Sequence, residues 1–265
     1  MPFTLAHPAA VVPLRRRLGP HASLSALVLG SMTPDLAYFV PIGVAGAESH
    51  SLGGLLWYCL PAGLLAYLAF HALVRPLVIA LLPVSARARL GTAAKRPAFS
   101  LPAAIGVTTS LLVGAASHLA WDSFTHSTGF AVQALPPLRA QLHVLDRYPL
   151  PVWSLLQYVS SVVGLLLLGY WARRWYAATD PAEPTGASAP AVGWRLLVVL
   201  VLLVPATAAA TAAAWHVLAH APDLPLAIRK AISRAAFSGG TVFLASLALT
   251  SVAWRLLAGT AERGE

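Results

Sequence analysis

Five long apolar runs punctuate the chain, at residues 52–74, 98–121, 151–172, 196–216 and 235–254, and none carries a Lys, Arg, Asp or Glu. Each is long enough to cross a bilayer, which takes roughly 20 apolar residues as a helix. Ala, Gly, Leu and Val dominate them and no strand-like alternation appears, so helices rather than a barrel are expected. A sixth apolar stretch, 24–44, differs: Asp35 lies in its middle and Pro34 and Pro41 interrupt it. It predicts a broken or re-entrant helix, tolerated at membrane depth only where it lines a protein cavity. Residues 76–84 are apolar but too short to cross, and Pro76 and Pro83 bracket them, which predicts an interfacial turn of helix. The expectation is an all-α, polytopic helical membrane protein with about five transmembrane helices and a broken or re-entrant N-terminal segment.

The Pro/Ala/Ser-rich stretch 180–192 reads as a connector. It divides a motif-bearing membrane domain, 1–172, from two plain C-terminal helices, 196–265, with 173–195 as a flexible linker.

Composition agrees with a membrane setting. Hydrophobic residues make up 58% of the chain and charged ones 10%, against about a quarter charged in soluble domains; the mean hydropathy is +0.71. The net charge of +9 is spread over the loops without basic–aromatic interleaving. That pattern indicates membrane-surface and topogenic charge, not a nucleic-acid partner. Arg15-Arg16-Arg17 follows rather than precedes the first short apolar stretch, so no cleavable signal pattern is present. The single cysteine, Cys59, lies within the first run, which rules out an intrachain disulfide.

Against this background nine acidic residues and nine histidines stand out. Five crossings bring the N-terminal segment, the loop 122–150 and the loop 217–234 to one face. Eight histidines then gather on or near that face: His7, His21, His50, His118, His126, His143, His216 and His220; His71 lies at the other end. His118 and Asp122 are four apart, so both point from one side of a helix, which suits two ligands of one metal or, alternatively, a buried His–Asp hydrogen bond. His126 is one step further, with Gly129 marking the helix end. Asp35 follows Pro34 near a helix start, where a carboxylate also serves as a cap. His50 between Ser49 and Ser51, and His7 before Pro8, read in isolation as interfacial or exposed imidazoles. His216 and His220 repeat the four-residue spacing, but Trp215 beside them indicates an interfacial girdle. His143 and Asp146 are ambiguous. Gln157, Ser160 and Ser161 suit interhelical hydrogen bonds within the third run. Buried carboxylates and imidazoles need partners, and histidine nitrogen with aspartate oxygen is the ligand set of zinc and its neighbours.

The opening Met1-Pro2-Phe3-Thr4-Leu5-Ala6-His7-Pro8-Ala9-Ala10 resembles the start of a bacterial membrane family, domain of unknown function 4184. So do Leu27 to Asp35, Ser49-His50-Ser51-Leu52, and Leu155-Leu156-Gln157-Tyr158 followed by Ser160-Ser161. More distantly, the order His, Pro-Asp, His-Ser, His-x3-Asp-x2-Thr is similar to inner-membrane metal-dependent hydrolases and, beyond them, zinc-dependent phospholipase C. That resemblance implies His7, Asp35, His50, His118 and Asp122 as metal ligands. The chain departs from it where Leu36, Ala37 and Tyr38 follow Asp35 and where no His-x3-Glu follows Asp122, so one or two ions are implied rather than three.

The functional expectation is a hydrolase of the bacterial cytoplasmic (inner) membrane, acting with zinc or manganese on a phosphoester of a lipid or lipid-linked substrate. His7, Asp35, His50, His118, Asp122 and His126 are the candidate ligands, and Asp122 or Asp35 the candidate general base. The alternatives are a proton or metal-ion transporter, whose path would need polar groups that the last two runs barely offer, and a non-catalytic protein with a structural metal.

Overall fold

A computed structural model describes residues 3–91, 100–142, 150–181, 191–220 and 224–261. Five of its helices are long and apolar enough to cross a membrane: Leu55–Leu81, Leu101–Ala134, Val152–Ala178, Val192–Ala219 and Lys230–Leu257. The protein is an all-α, polytopic integral membrane protein. Among the described residues the only strands are Gln141–Leu142 and Leu150–Pro151, a two-residue antiparallel pairing.

The first span is longer than its apolar run suggested. Pro76 does not end it; the helix continues through Arg75–Leu81, so the expected interfacial turn is instead the end of the span. The reason is local. Two widened π turns, Leu55–Cys59 and Phe70–Val74, interrupt the span, and the second ends one residue before Arg75-Pro76. A proline has no N–H and its ring crowds the carbonyl four residues back; a widened turn shifts that pairing and accommodates it.

The chain divides into two compact units. The first comprises Met1–Ala37, Ile42–Tyr67 and Lys95–Thr179; the second comprises Tyr38–Pro41, Leu68–Ala94 and Asp180–Glu265. Residues 68–91 thus associate with the C-terminal helices rather than with the motif-bearing part. The helices flanking the expected linker reach into it, to Ala178 and from Val192, and residues 182–190 lie outside the described residues.

The stretch 24–44 is a broken helix. Ser23 caps α2 (Leu24–Gly30), its hydroxyl accepting from the Ala26 N–H. The chain kinks at Ser31-Met32 and restarts as α3 (Thr33–Phe39). Pro34 can offer no N–H to the Gly30 carbonyl, which makes this the natural breaking point. Ser31 and Thr33 turn their hydroxyls back onto the Val28 and Leu29 carbonyls. The second span, Leu101–Thr125, lies against α2, and two glycines set how close: a Cβ on Gly30 would overlap the Leu111 carbonyl oxygen, and one on Gly114 the Leu27 carbonyl oxygen. Small residues permit such backbone approach in membrane helices. Ala26, Tyr67 and Leu111 form one apolar core of the first unit, and Tyr58, Cys59 and Ala115 another.

In the second unit Leu77, Val198 and Leu202 are buried with Phe243, Leu247 and Trp254 packed on them. Gly239 lets its helix approach Ala206 and Ala210 of the neighbouring span closely, with the Ala206 carbonyl 3.1 Å from where a Cβ would stand.

Candidate metal centre

Four elements of the first unit deliver the polar residues to one place. His7 ends a 3-10 turn, Thr4–Ala6, and Pro8 begins α1 (Pro8–Val11) immediately after it, a position where proline's fixed φ and missing N–H cost nothing. Asp35 is the third residue of α3. His50 terminates α4 (Gly46–Ser49). His118 and Asp122 project from successive turns of the second span, which ends at Thr125, and His126 is the extended residue that follows.

The resulting distances differ from those of hydrogen bonds. His50 Nε2 lies 3.3 Å from Asp35 Oδ1 and 3.7 Å from Asp122 Oδ2. His118 Nε2 lies 3.6 Å from Asp35 Oδ1 and 3.3 Å from Asp122 Oδ2. Charge-assisted N–H···O bonds close to about 2.7–2.9 Å, and all four separations are longer than that. They lie nearer the ~3.3 Å that would separate donors about 2.05 Å from a tetrahedral ion. His7 Nε2 stands 3.6 Å from the other Asp122 oxygen, and its ring stacks on His118 at 3.7 Å between centroids. Two triads, His7/Asp35/His118 and His50/His118/Asp122, each gather three donor atoms within 4.8 Å of one another.

Burial sharpens the point. His7, Asp35, His118 and Asp122 are more than nine-tenths buried. Yet His7 Nε2, Asp35 Oδ1, His118 Nε2 and Asp122 Oδ1 have no hydrogen-bond partner among the described residues. A buried polar atom left so is costly, and here four of them converge.

The remaining polar atoms are tied back into the fold. His118 Nδ1 is 2.7 Å from the Ser31 carbonyl at the helix break, and His50 Nδ1 is 2.8 Å from the Gly46 carbonyl. A carbonyl can only accept, so both Nδ1 atoms carry a proton, and each ring turns its Nε2 toward the cluster. Orientation of this kind is what ligating histidines use. Thr4 donates to Asp35 Oδ2 at 2.6 Å, leaving Oδ1 facing the histidines. Burial, followed by the neighbouring His118, lowers the His7 imidazole to about 3, so it is neutral at pH 7. Burial pushes the Asp35 carboxyl up, but His50, His118 and the Thr4 hydroxyl outweigh it and hold it at about 2. A neutral imidazole and an ionised carboxylate are the forms a cation binds.

The sequence-predicted residues thus sort clearly. His7, Asp35, His50, His118 and Asp122 meet. His126 is adjacent but turned differently: its Nδ1 lies 3.3 Å from the Asp122 carbonyl and 3.5 Å from Asp122 Oδ1, so it contacts the cluster through Asp122. Asp35 contributes its oxygens to Thr4 and the histidines, whereas a cap would direct them to backbone N–H groups. Gly129 permits the tight turn after the second span, where a Cβ would overlap the Ser123 carbonyl. His21 is exposed, as are His216 and His220, whose rings contact each other. His143 and Asp146 lie outside the described residues. Thr4 and the carbonyls of Ser31 and Gly46 were not anticipated; Thr4 sits in the opening motif, while the carbonyls leave no trace in a sequence.

A family model described as "Domain of unknown function (DUF4184)" matches residues 1–252, and the chain belongs to that family. No curated protein and no solved structure matches it.

Proposed function

We propose that the His/Asp cluster binds one or two transition-metal ions, zinc or manganese, and that the protein is a membrane-bound metal-dependent hydrolase acting on a phosphoester of a lipid or lipid-linked substrate. The observation that carries the reading is the convergence of four buried, unpartnered donor atoms, with His7 Nε2 3.6 Å from Asp122 Oδ1 and His118 Nε2 3.6 Å from Asp35 Oδ1. His50, His118, Asp35 and Asp122 fit an ion on the distances above, and His7 joins through Asp122 or as part of the triad with Asp35 and His118. One or two ions would be held by His7, Asp35, His50, His118 and Asp122.

An ion held there supplies Lewis acidity, lowering the pKa of water and polarising a phosphoryl oxygen. The protein's own groups do the rest. Asp35, fixed by Thr4 and almost fully buried, is a holding residue. Asp122 has both oxygens within 3.7 Å of histidine nitrogens and is the less buried carboxylate, which favours it over Asp35 as the proton acceptor. His126, with about a quarter of its side chain exposed, connects Asp122 to the surroundings and is placed to carry a proton away. His50 is also part-exposed. An open side of this sort favours catalysis over a closed structural site. The resemblance to inner-membrane hydrolases supports the same reading and the bacterial cytoplasmic membrane as its location.

A hydrolysis screen over phospholipids and isoprenoid phosphates, with zinc or manganese added, tests the proposal. Wild type should act on at least one class, and His118→Ala and Asp122→Ala should not. Activity surviving both substitutions, or metal bound with no hydrolysis of any substrate, would overturn it in favour of transport or a structural ion.

A further inference from the structure

Beside the cluster, on the same unit, runs a concave groove of about 700 Å³. Its walls are α1, the second span from Ser117 to Thr125 and the third span from Leu156 to Leu167. Eleven residue steps along the third span measure about 16 Å, roughly half of a ~30 Å hydrocarbon core, the depth of one leaflet. The groove exists because the facing residues are small: Ala6, Ala9 and Ala10 on one side, Ala120 and Gly164 on the others. A Cβ on Gly164 would already stand 3.0 Å from the Ala6 carbonyl.

Its lining is apolar in effect as well as in composition. The hydroxyls of Ser117, Thr125, Ser160 and Ser161 all bond to carbonyls of their own helices. Trp121 donates its indole N–H to Ser160 at 3.2 Å. That leaves His7 as the one lining residue with an unpartnered buried polar atom, and it belongs to the cluster. Val159, Val163 and Phe124 are about half exposed, so the groove opens sideways on membrane-spanning helices.

We infer that this groove holds one hydrocarbon chain of a lipid whose headgroup lies at the His/Asp cluster. An apolar trough of leaflet length, open to the bilayer and ending on a metal-binding set, matches a tailed amphiphile and offers nothing to a polar, untailed ester. The headgroup half of this inference rests on the phosphoester reading above; the tail half does not.

A single-chain alkyl monophosphate with a photoreactive diazirine at its tail, photolysed immediately on mixing so that hydrolysis does not convert it, and the matching alcohol separate the two. With zinc-loaded full-length protein, the phosphate probe should label lining residues of the third span. Val163→Trp and Ala120→Trp, which fill the trough, should lower that labelling about tenfold or more while zinc content and melting temperature hold. Labelling unchanged in both variants, or equally dense on the last two helices, would overturn the groove. Equal groove labelling by the alcohol and the phosphate would support the tail site and overturn the headgroup assignment. Hydrolysis of the phosphate probe without groove labelling would do the reverse.

Discussion

The two units handle burial in opposite ways. In the second, the buried residues include Leu77, Val198 and Leu202, covered by Phe243, Leu247 and Trp254, with Ser251 the one buried polar residue described, and its long helices approach through Gly239 and alanines. In the first, the deepest positions include His118, Asp35, Ser31, Thr33 and Ser49 alongside Leu27 and Leu111. It is built on short helices, breaks and caps, because only such backbone brings donors from four separate elements to one point. Apolar packing dominates the second unit, where no donor set that could hold an ion falls among the described residues. The first carries buried polar groups that packing would reject, and that contrast localises function to it.

The largest predicted effect follows from removing the centre of the cluster. We predict that His118→Ala or Asp122→Ala abolishes metal binding and lowers hydrolysis by about 10³-fold or more. Titration of zinc into the purified apo-protein, read beside initial rates, checks this; unchanged zinc affinity in either variant would remove the basis of the site.

Next come the glycines that fix the geometry. Gly30→Val and Gly114→Val push a side chain into a neighbouring backbone and should destabilise the protein by about 1–3 kcal/mol or more. Gly169→Ala and Gly193→Ala, which meet nothing within 4 Å, should stay within about 0.5 kcal/mol of wild type. Thermal melting in detergent compares the four. Equal melting temperatures would mean that the close approach of α2 and the second span is not needed.

A smaller loss is expected at Thr4. Thr4→Val keeps shape but removes the hydrogen bond to Asp35 Oδ2, which should weaken metal affinity about 10–100-fold, with Thr4→Ser restoring most of it. If the valine variant binds as wild type does, Asp35 is oriented by something else.

The smallest effect is the most pointed comparison. His216 and His220 share the i, i+4 spacing of His118 and Asp122 but lie exposed in the second unit. His216→Ala/His220→Ala should leave metal content unchanged; a stoichiometric drop in the double variant would show that spacing, not burial, selects the ligands.

What the sequence revealed divides along the same line. The spans were legible because a bilayer imposes length and hydropathy directly, and the break at Pro34 because proline removes a donor. The end of the first span was not, since the π turn at Phe70–Val74 that admits Pro76 has no signature in composition. At the site, helical spacing put His118 and Asp122 on one face but fitted a buried hydrogen bond as well as a metal. His7, Asp35 and His50 each had an ordinary local reading, and only the count of crossings and the family resemblance grouped them. Their meeting depends on Gly30 and Gly114 bringing two backbones together, and on the carbonyls of Ser31 and Gly46 turning two imidazoles, features that belong to the fold and not to any residue's identity.

Zinc K-edge X-ray absorption on the metal-loaded protein tests the central claim most directly. The account predicts about one to two equivalents of zinc with a shell of nitrogen and oxygen alone at about 2.0–2.2 Å, including imidazole scattering from two or three histidines. Less than about a tenth of an equivalent after loading, or a sulfur scatterer near 2.3 Å, for which Cys59 is the sole cysteine source, would contradict it.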